Sequence, residues 1–152
     1  LTVIFGELKR LNDEHTLPNE DARERLYDAS LYAGQAINIT GTCFPHTLGY
    51  FLTEKYNISH GKACAAFLPE FLRRGIEYKP ALGKEVLEFC GTDEETLFNT
   101  VTSLADIKIS VPVEQIDAYL PNWQSVKNFD NSPGGYNPYL AKALMIDLFV
   151  EK

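Results

Sequence analysis

Basic charge is in short supply in this chain, where 14 lysines and arginines stand against 21 acids for a formal net charge of -7. No basic stripe gathers anywhere, which excludes nucleic acid as a partner. The acidic balance serves solubility and says little about fold. Cysteine is scarce as well, with Cys43, Cys64 and Cys90 widely spaced and no C-x-x-C pair. Such an odd set argues against a disulfide framework or a thiolate zinc site. The three read instead as small apolar side chains in a reducing cytosol, which predicts a cytoplasmic protein. No apolar run reaches the roughly 20 residues of a membrane helix, so a membrane is not an expected partner. The N-terminus lacks a signal peptide's basic region and cleavage site. A glycine-rich nucleotide loop, internal repeats and low-complexity tracts are missing too. Strand-like alternation is confined to Ile107-Lys108-Ile109-Ser110-Val111.

What remains is helical. The 152 residues suit one domain, and 45% hydrophobic with 23% charged residues is ordinary for a packed one. Leu1, Ile4, Phe5, Leu8 and Leu11 share one helical face from the first residue. A chain that opens inside such a pattern reads as a piece of a longer one. Asn19 caps a second helix running to about Ile39, with Glu20 and Asp21 at its positive end. Its small residues Ala29, Ser30, Ala33, Gly34 and Ala36 predict a central, buried helix. A third helix spans about Phe44 to Lys55, and Tyr56-Asn57-Ile58-Ser59 breaks it. A fourth runs from His60 to Arg74, with Pro69 as a kink and Gly75 as its stop. Further helices are predicted at Pro80–Cys90, Thr92–Ala105, Val113–Tyr119 and Pro138–Val150. Thr92 with Glu95 forms a capping box, and Asn137 caps before Pro138. The fold class that follows is all-α, a single multi-helix domain over 1–152.

Of three histidines, His15 falls in a polar loop. His46 and His60 lie 14 residues apart in the most unusual stretch of the chain. On one straight helix they would stand about 21 Å apart and share no metal. The break at 56–59 permits the fourth helix to fold back beside the third, and Gly61 after His60 leaves room for a close partner. Imidazole suits iron, zinc, copper or nickel. By spacing alone, such a pair is more often made of core or surface residues than of ligands. Two histidines also fall short of the three or four protein ligands that a catalytic zinc or iron takes. Asp21, Glu54 and Glu70 read as solvated helix-face charges.

A resemblance adds to this. Ala33-Gly34-Gln35-Ala36-Ile37-Asn38, then His46, then Ser59-His60-Gly61, then Leu68-Pro69 resemble the ligand-bearing region of the iron-containing (group III) alcohol dehydrogenases. No gap is needed between Ala33 and Gly61. The likeness is specific over about Ala33 to Pro69 and looser toward the C-terminus.

The resemblance implies the C-terminal helical, metal-binding domain of the dehydroquinate synthase-like fold. It implies an N-terminal nucleotide-binding α/β domain outside this chain, which binds most of NAD or NADP. It implies a divalent metal, Fe(2+) or Zn(2+), held by one Asp and three His. His46 and His60 match the last two, and the others fall upstream of Leu1. Small alcohol and aldehyde substrates and a homodimer come with the family. Ile37 matches a position that lines the substrate pocket; plain core packing is its alternative. Tyr50 stands where many members carry a second histidine, so its hydroxyl is a candidate proton relay, or else a packed aromatic. Ser59 replaces the family's proline and is a candidate cap. A subset of members resembles this chain better around Tyr50, and some of these act on small phosphonate or acid aldehydes. Two other readings stay open: a non-catalytic helical scaffold, and a zinc-using glycerol dehydrogenase or dehydroquinate synthase branch.

Overall fold

A computed structural model describes residues 1–151, and every regular element among them is helical. α1 (Thr2–Glu14) packs on α2 (Glu20–Thr40), and α3 (Phe44–Tyr56) is followed by α4 (His60–Ala65) and α5 (Leu68–Tyr78). α6 (Pro80–Cys90), α7 (Glu94–Ala105), α8 (Val113–Tyr119), α9 (Lys127–Asp130) and α10 (Pro138–Phe149) complete the order, with a 3-10 turn at Leu120–Trp123. The all-α expectation holds.

The local chemistry explains most boundaries. Asn19 accepts the Ala22 N–H at 2.9 Å, and Asn137 accepts from Tyr139 and Leu140, with Pro138 opening α10. At α7 the expected Thr92 box gives way to Asp93, which accepts the Thr96 N–H at 2.8 Å. A carboxylate is the better acceptor at a helix's positive end, and these bonds hold the Asp93 carboxyl below its ordinary range. The helix expected from His60 to Arg74 is two helices. Pro69 sits in the first turn of α5, where its missing N–H costs nothing, and α5 runs through Gly75 to Tyr78. The strand-like segment 107–111 forms no regular element; its Val111 N–H donates to the Phe149 carbonyl at 2.8 Å.

The helix at the centre is α3, whose Phe44, Leu48, Phe51 and Leu52 have no exposed surface. Ala63, Phe67, Ile116, Trp123 and Met145 pack in the same core. A smaller cluster of Phe5, Leu97 and Val101 ties α1 to α7. The expectation for α2 is therefore corrected. Ala22 is its one buried residue, while Tyr27, Leu31, Tyr32 and Ile39 are exposed. Small residues permit a close neighbour, but burial is driven by large apolar area, which α3 supplies and the buried side of α2 does not.

The start of α3 is fixed from far along the chain. Its first N–H groups have no partner within the helix, and Cys43 before them offers no side-chain cap. Ser132 caps in its place: its Oγ accepts the Phe44 N–H at 3.0 Å while its hydroxyl donates to the Asn128 carbonyl at 2.8 Å. Asn131 Nδ2 donates to the Thr40 carbonyl at 2.8 Å, and Phe44 stacks on Tyr136 with ring centroids 3.9 Å apart. The turn-rich loop 131–136 thus holds the helix that carries His46. Ser132→Ala leaves a buried N–H without an acceptor, and we expect a loss of about 1–3 kcal/mol. Urea unfolding reads it as a lower midpoint at unchanged slope.

Candidate metal centre

His46 lies in the first turn of α3 and Tyr50 one turn later on the same face. α3 stops at Asn57, which adopts the left-handed region (φ 53°, ψ 31°) that Asn tolerates better than most residues. The Ile58 N–H reaches back to the Leu52 carbonyl, and the chain reverses. α4 then begins at His60 and lies against α3. Ser59 occupies the cap position, but its side chain makes no capping bond.

Gly49 sets how closely the two helices approach. A Cβ there would fall 2.8 Å from Cys64 Sγ and 3.2 Å from the Cys64 backbone nitrogen. Gly61 was the glycine expected to make room, yet a Cβ on it would meet open space. The contact lies on the buried side of α3, opposite the half-buried side chain of Cys64.

Across this contact His46 Nδ1 and His60 Nε2 stand 3.2 Å apart, with rings nearly perpendicular at 81°. Each ring's other nitrogen has its own partner. His46 Nε2 lies 3.1 Å from the Tyr50 hydroxyl, and His60 Nδ1 lies 3.2 Å from Thr53 Oγ1. When those outer nitrogens carry the ring protons and donate outward, the inner lone pairs converge on one point. Burial first, and the neighbouring His60 second, push the His46 imidazole below its usual range and favour its neutral form.

Cys64 completes the cluster, with Sγ 3.5 Å from His60 Nε2 and 3.8 Å from His46 Nδ1. Among the described residues, His46, His60 and Cys64 are the one His/Cys/Asp/Glu group whose ligand atoms gather closely enough to share an ion. Sequence reasoning set Cys64 aside with the other cysteines. Its signal was available: it follows His60 by four residues, one helical turn. Burial pushes its thiol up.

The other candidates are placed as follows. Ile37 is half exposed near the end of α2, in a groove with Leu1, Val3, Ile4, Ala33 and Ala36. Glu54 accepts from the Tyr119 hydroxyl at 3.0 Å, and Glu70 pairs with Arg73. His15 is exposed at the end of α1.

An all-helical domain with a histidine–histidine–cysteine cluster between two of its helices is the class of protein that these features define. The model of the Fe-containing alcohol dehydrogenase family, C-terminal, matches residues 1–115, and the chain belongs to that family. It is 33% identical over 79 residues to a 1,3-propanediol dehydrogenase of Citrobacter freundii, covering 52% of this chain and 20% of the relative. It is 33% identical over 73 residues to a 1,3-propanediol dehydrogenase of Klebsiella pneumoniae, covering 48% and 19%. An iron-containing alcohol dehydrogenase from Thermotoga maritima superposes with a TM-score of 0.75 at 25% identity. That match covers 97% of this chain and 41% of the other. A second iron-containing alcohol dehydrogenase gives a TM-score of 0.74, also at 25% identity, covering 96% and 41%. The chain therefore spans about two fifths of these solved relatives, and its matches to the curated ones cover about a fifth of their length.

No helix among the described residues is long and apolar enough to cross a membrane.

Proposed function

We propose that this chain is the metal-binding helical half of an NAD(P)-dependent alcohol dehydrogenase that interconverts a primary alcohol and its aldehyde. The observation that carries this is the 3.2 Å approach of His46 Nδ1 to His60 Nε2. With metal–nitrogen bonds of about 2.0–2.1 Å, a tetrahedral ion sets two ligand nitrogens about 3.3–3.4 Å apart, and an octahedral one sets them about 3 Å apart. The pair fits between. Imidazole nitrogens suit iron(II) or zinc.

His46 and His60 would hold such an ion, and the remaining ligands, an Asp and a His, would come from sequence upstream of Leu1. The ion, when bound, supplies Lewis-acid polarisation of the alcohol or aldehyde oxygen. The nicotinamide, bound mainly by an N-terminal α/β domain, supplies the hydride chemistry. Thr53 holds the His60 ring through Nδ1 and so aims Nε2. Tyr50 does the same for His46, and by accepting from Nε2 it keeps its own hydroxyl proton free to give to a substrate oxygen. Tyr50 is 45% exposed, open to that exchange. Ile37, an apolar side chain left half uncovered, would line the substrate pocket once the second domain closes over it. The likeness to 1,3-propanediol dehydrogenases supports a small alcohol or diol as substrate.

The full-length protein should carry about one divalent ion per chain by elemental analysis, and should oxidise members of a primary alcohol and diol panel with NAD or NADP. No metal and no nicotinamide-dependent turnover would overturn the proposal in favour of a non-catalytic helical module. Tyr50→Phe should lower kcat about 100-fold with little change in KM, the scale of a lost proton-transfer group. Unchanged kcat would make Tyr50 a packed aromatic.

A further inference from the structure

We propose that Asn131 is a positioning residue, which sets the substrate-facing end of α2 against the metal-bearing start of α3. The inference rests on reading His46 as a ligand and Ile37 as a wall of the substrate pocket. A single side-chain amide at the corner between the two helices carries it. Asn131 Nδ2 donates to the carbonyl of Thr40, the last residue of α2, at 2.8 Å. It also donates to the Thr42 carbonyl, just ahead of α3, at 3.3 Å. Only the nitrogen end of an Asn side chain can face two carbonyls, because its oxygen accepts and does not donate. The Cys43 thiol donates back to the Asn131 carbonyl at 3.3 Å. Gly41 suits the contact. Its φ of 73° is one that glycine adopts freely, and a Cβ on it would fall 2.8 Å from Asn131 Nδ2.

The corner carries this hold in both directions. Toward α2, the Gly41 N–H donates to the Ile37 carbonyl at 2.7 Å, and Thr40 Oγ1 donates to the Ala36 carbonyl at 2.9 Å. Toward α3, the His46 N–H donates to the Cys43 carbonyl at 3.1 Å. Ile37 and His46 thus stand on either side of one hydrogen-bonded turn. The two sides differ in what else holds them. α3 is anchored by the Ser132 cap and by its buried Phe44 and Leu48. Residues 30–40 of α2 are exposed throughout, so packing does little to fix Ile37. Loss of the amide should therefore free the end of α2 and leave His46 in place. The substrate would lose one wall of its pocket, and the metal would stay.

Steady-state kinetics of the full-length protein on a primary alcohol, with elemental analysis, test this. Asn131→Ala removes the amide, and Asn131→Asp keeps its shape while offering neither carbonyl a donor. Asn131 is exposed and outside the core, so both variants should fold. Both should raise the KM for the alcohol about tenfold with kcat within about twofold of the wild type, the pattern of a lost binding contact. Metal should stay at the wild-type content. Gly41→Ala, which crowds the same amide, should do the same and reads the contact from its other side. Gln115→Ala, which removes another exposed hydrogen bond, from the Tyr56 hydroxyl, should leave KM alone. A merely structural loss would lower the folded fraction, and kcat with it, at an unchanged KM. An unchanged KM in Asn131→Asp, or loss of its metal, would therefore overturn the proposal and leave the metal reading standing. A wild type with no metal and no alcohol turnover would instead take down the reading of His46 and Ile37, and this proposal with it.

Discussion

His46→Ala and His60→Ala should each strip the intact protein of its bound metal and of nearly all turnover. His46 Nδ1 and His60 Nε2 meet 3.2 Å apart from two different helices, so neither can substitute for the other. Losing even a hydrogen-bond partner behind a ligand costs about 10–100-fold in affinity or activity, so losing the ligand itself should exceed about 100-fold. The fold should survive. The core residues of α3 are Phe44, Leu48, Phe51 and Leu52, and the two half-buried histidines are not among them. Thermal unfolding of either variant should therefore move by about 1 kcal/mol or less. Elemental analysis and steady-state turnover of the full-length variants check this. Wild-type metal content with full activity in either would mean that the histidines hold no metal, whatever their spacing.

The fold was legible wherever a signal was local. Asn19 and Asn137 cap where they were expected to, because an Asn before a helical pattern needs no tertiary partner to accept an N–H. The left-handed Asn57 lies within the stretch that was read as a break, and the break does what the two histidines require. What was not legible was tertiary. Ser132 caps a helix that begins 88 positions earlier in the chain, a pairing that no spacing rule predicts. The small residues of α2 suggested burial, but nothing in the sequence says which helix covers which. The cysteine was missed for another reason. Counting cysteines by their spacing to one another left out the spacing of Cys64 to His60, which is where its placement was written.

Gly49 offers the second large effect, and here two terms of opposite sign must be weighed. Replacing a mid-helix glycine by alanine ordinarily gains up to about 1 kcal/mol. At Gly49 the new methyl would stand 2.8 Å from Cys64 Sγ, 3.2 Å from the Cys64 nitrogen and 3.4 Å from the Ala63 carbonyl carbon. The sulfur can swing, but the other two atoms are backbone, so α4 itself must shift. It has little room, since Ala63 has no exposed surface. Overpacking of this kind costs about 1–3 kcal/mol, which outweighs the helical gain and leaves a net loss of up to about 2 kcal/mol. The effect on metal should be larger than the effect on stability. A ligand constellation tolerates about 0.5 Å of displacement, and a shift of α4 moves His60 away from His46. Gly49→Ala should therefore weaken metal binding about 10–100-fold. Gly61→Ala is the matched control, because its methyl would enter open space beside the same histidine. It should bind metal as the wild type does and unfold no earlier. Equal metal affinity in the two variants would mean that the approach of α3 to α4 does not set the site. A loss confined to Gly49→Ala would place the control of ligand geometry in a residue that donates nothing to the metal.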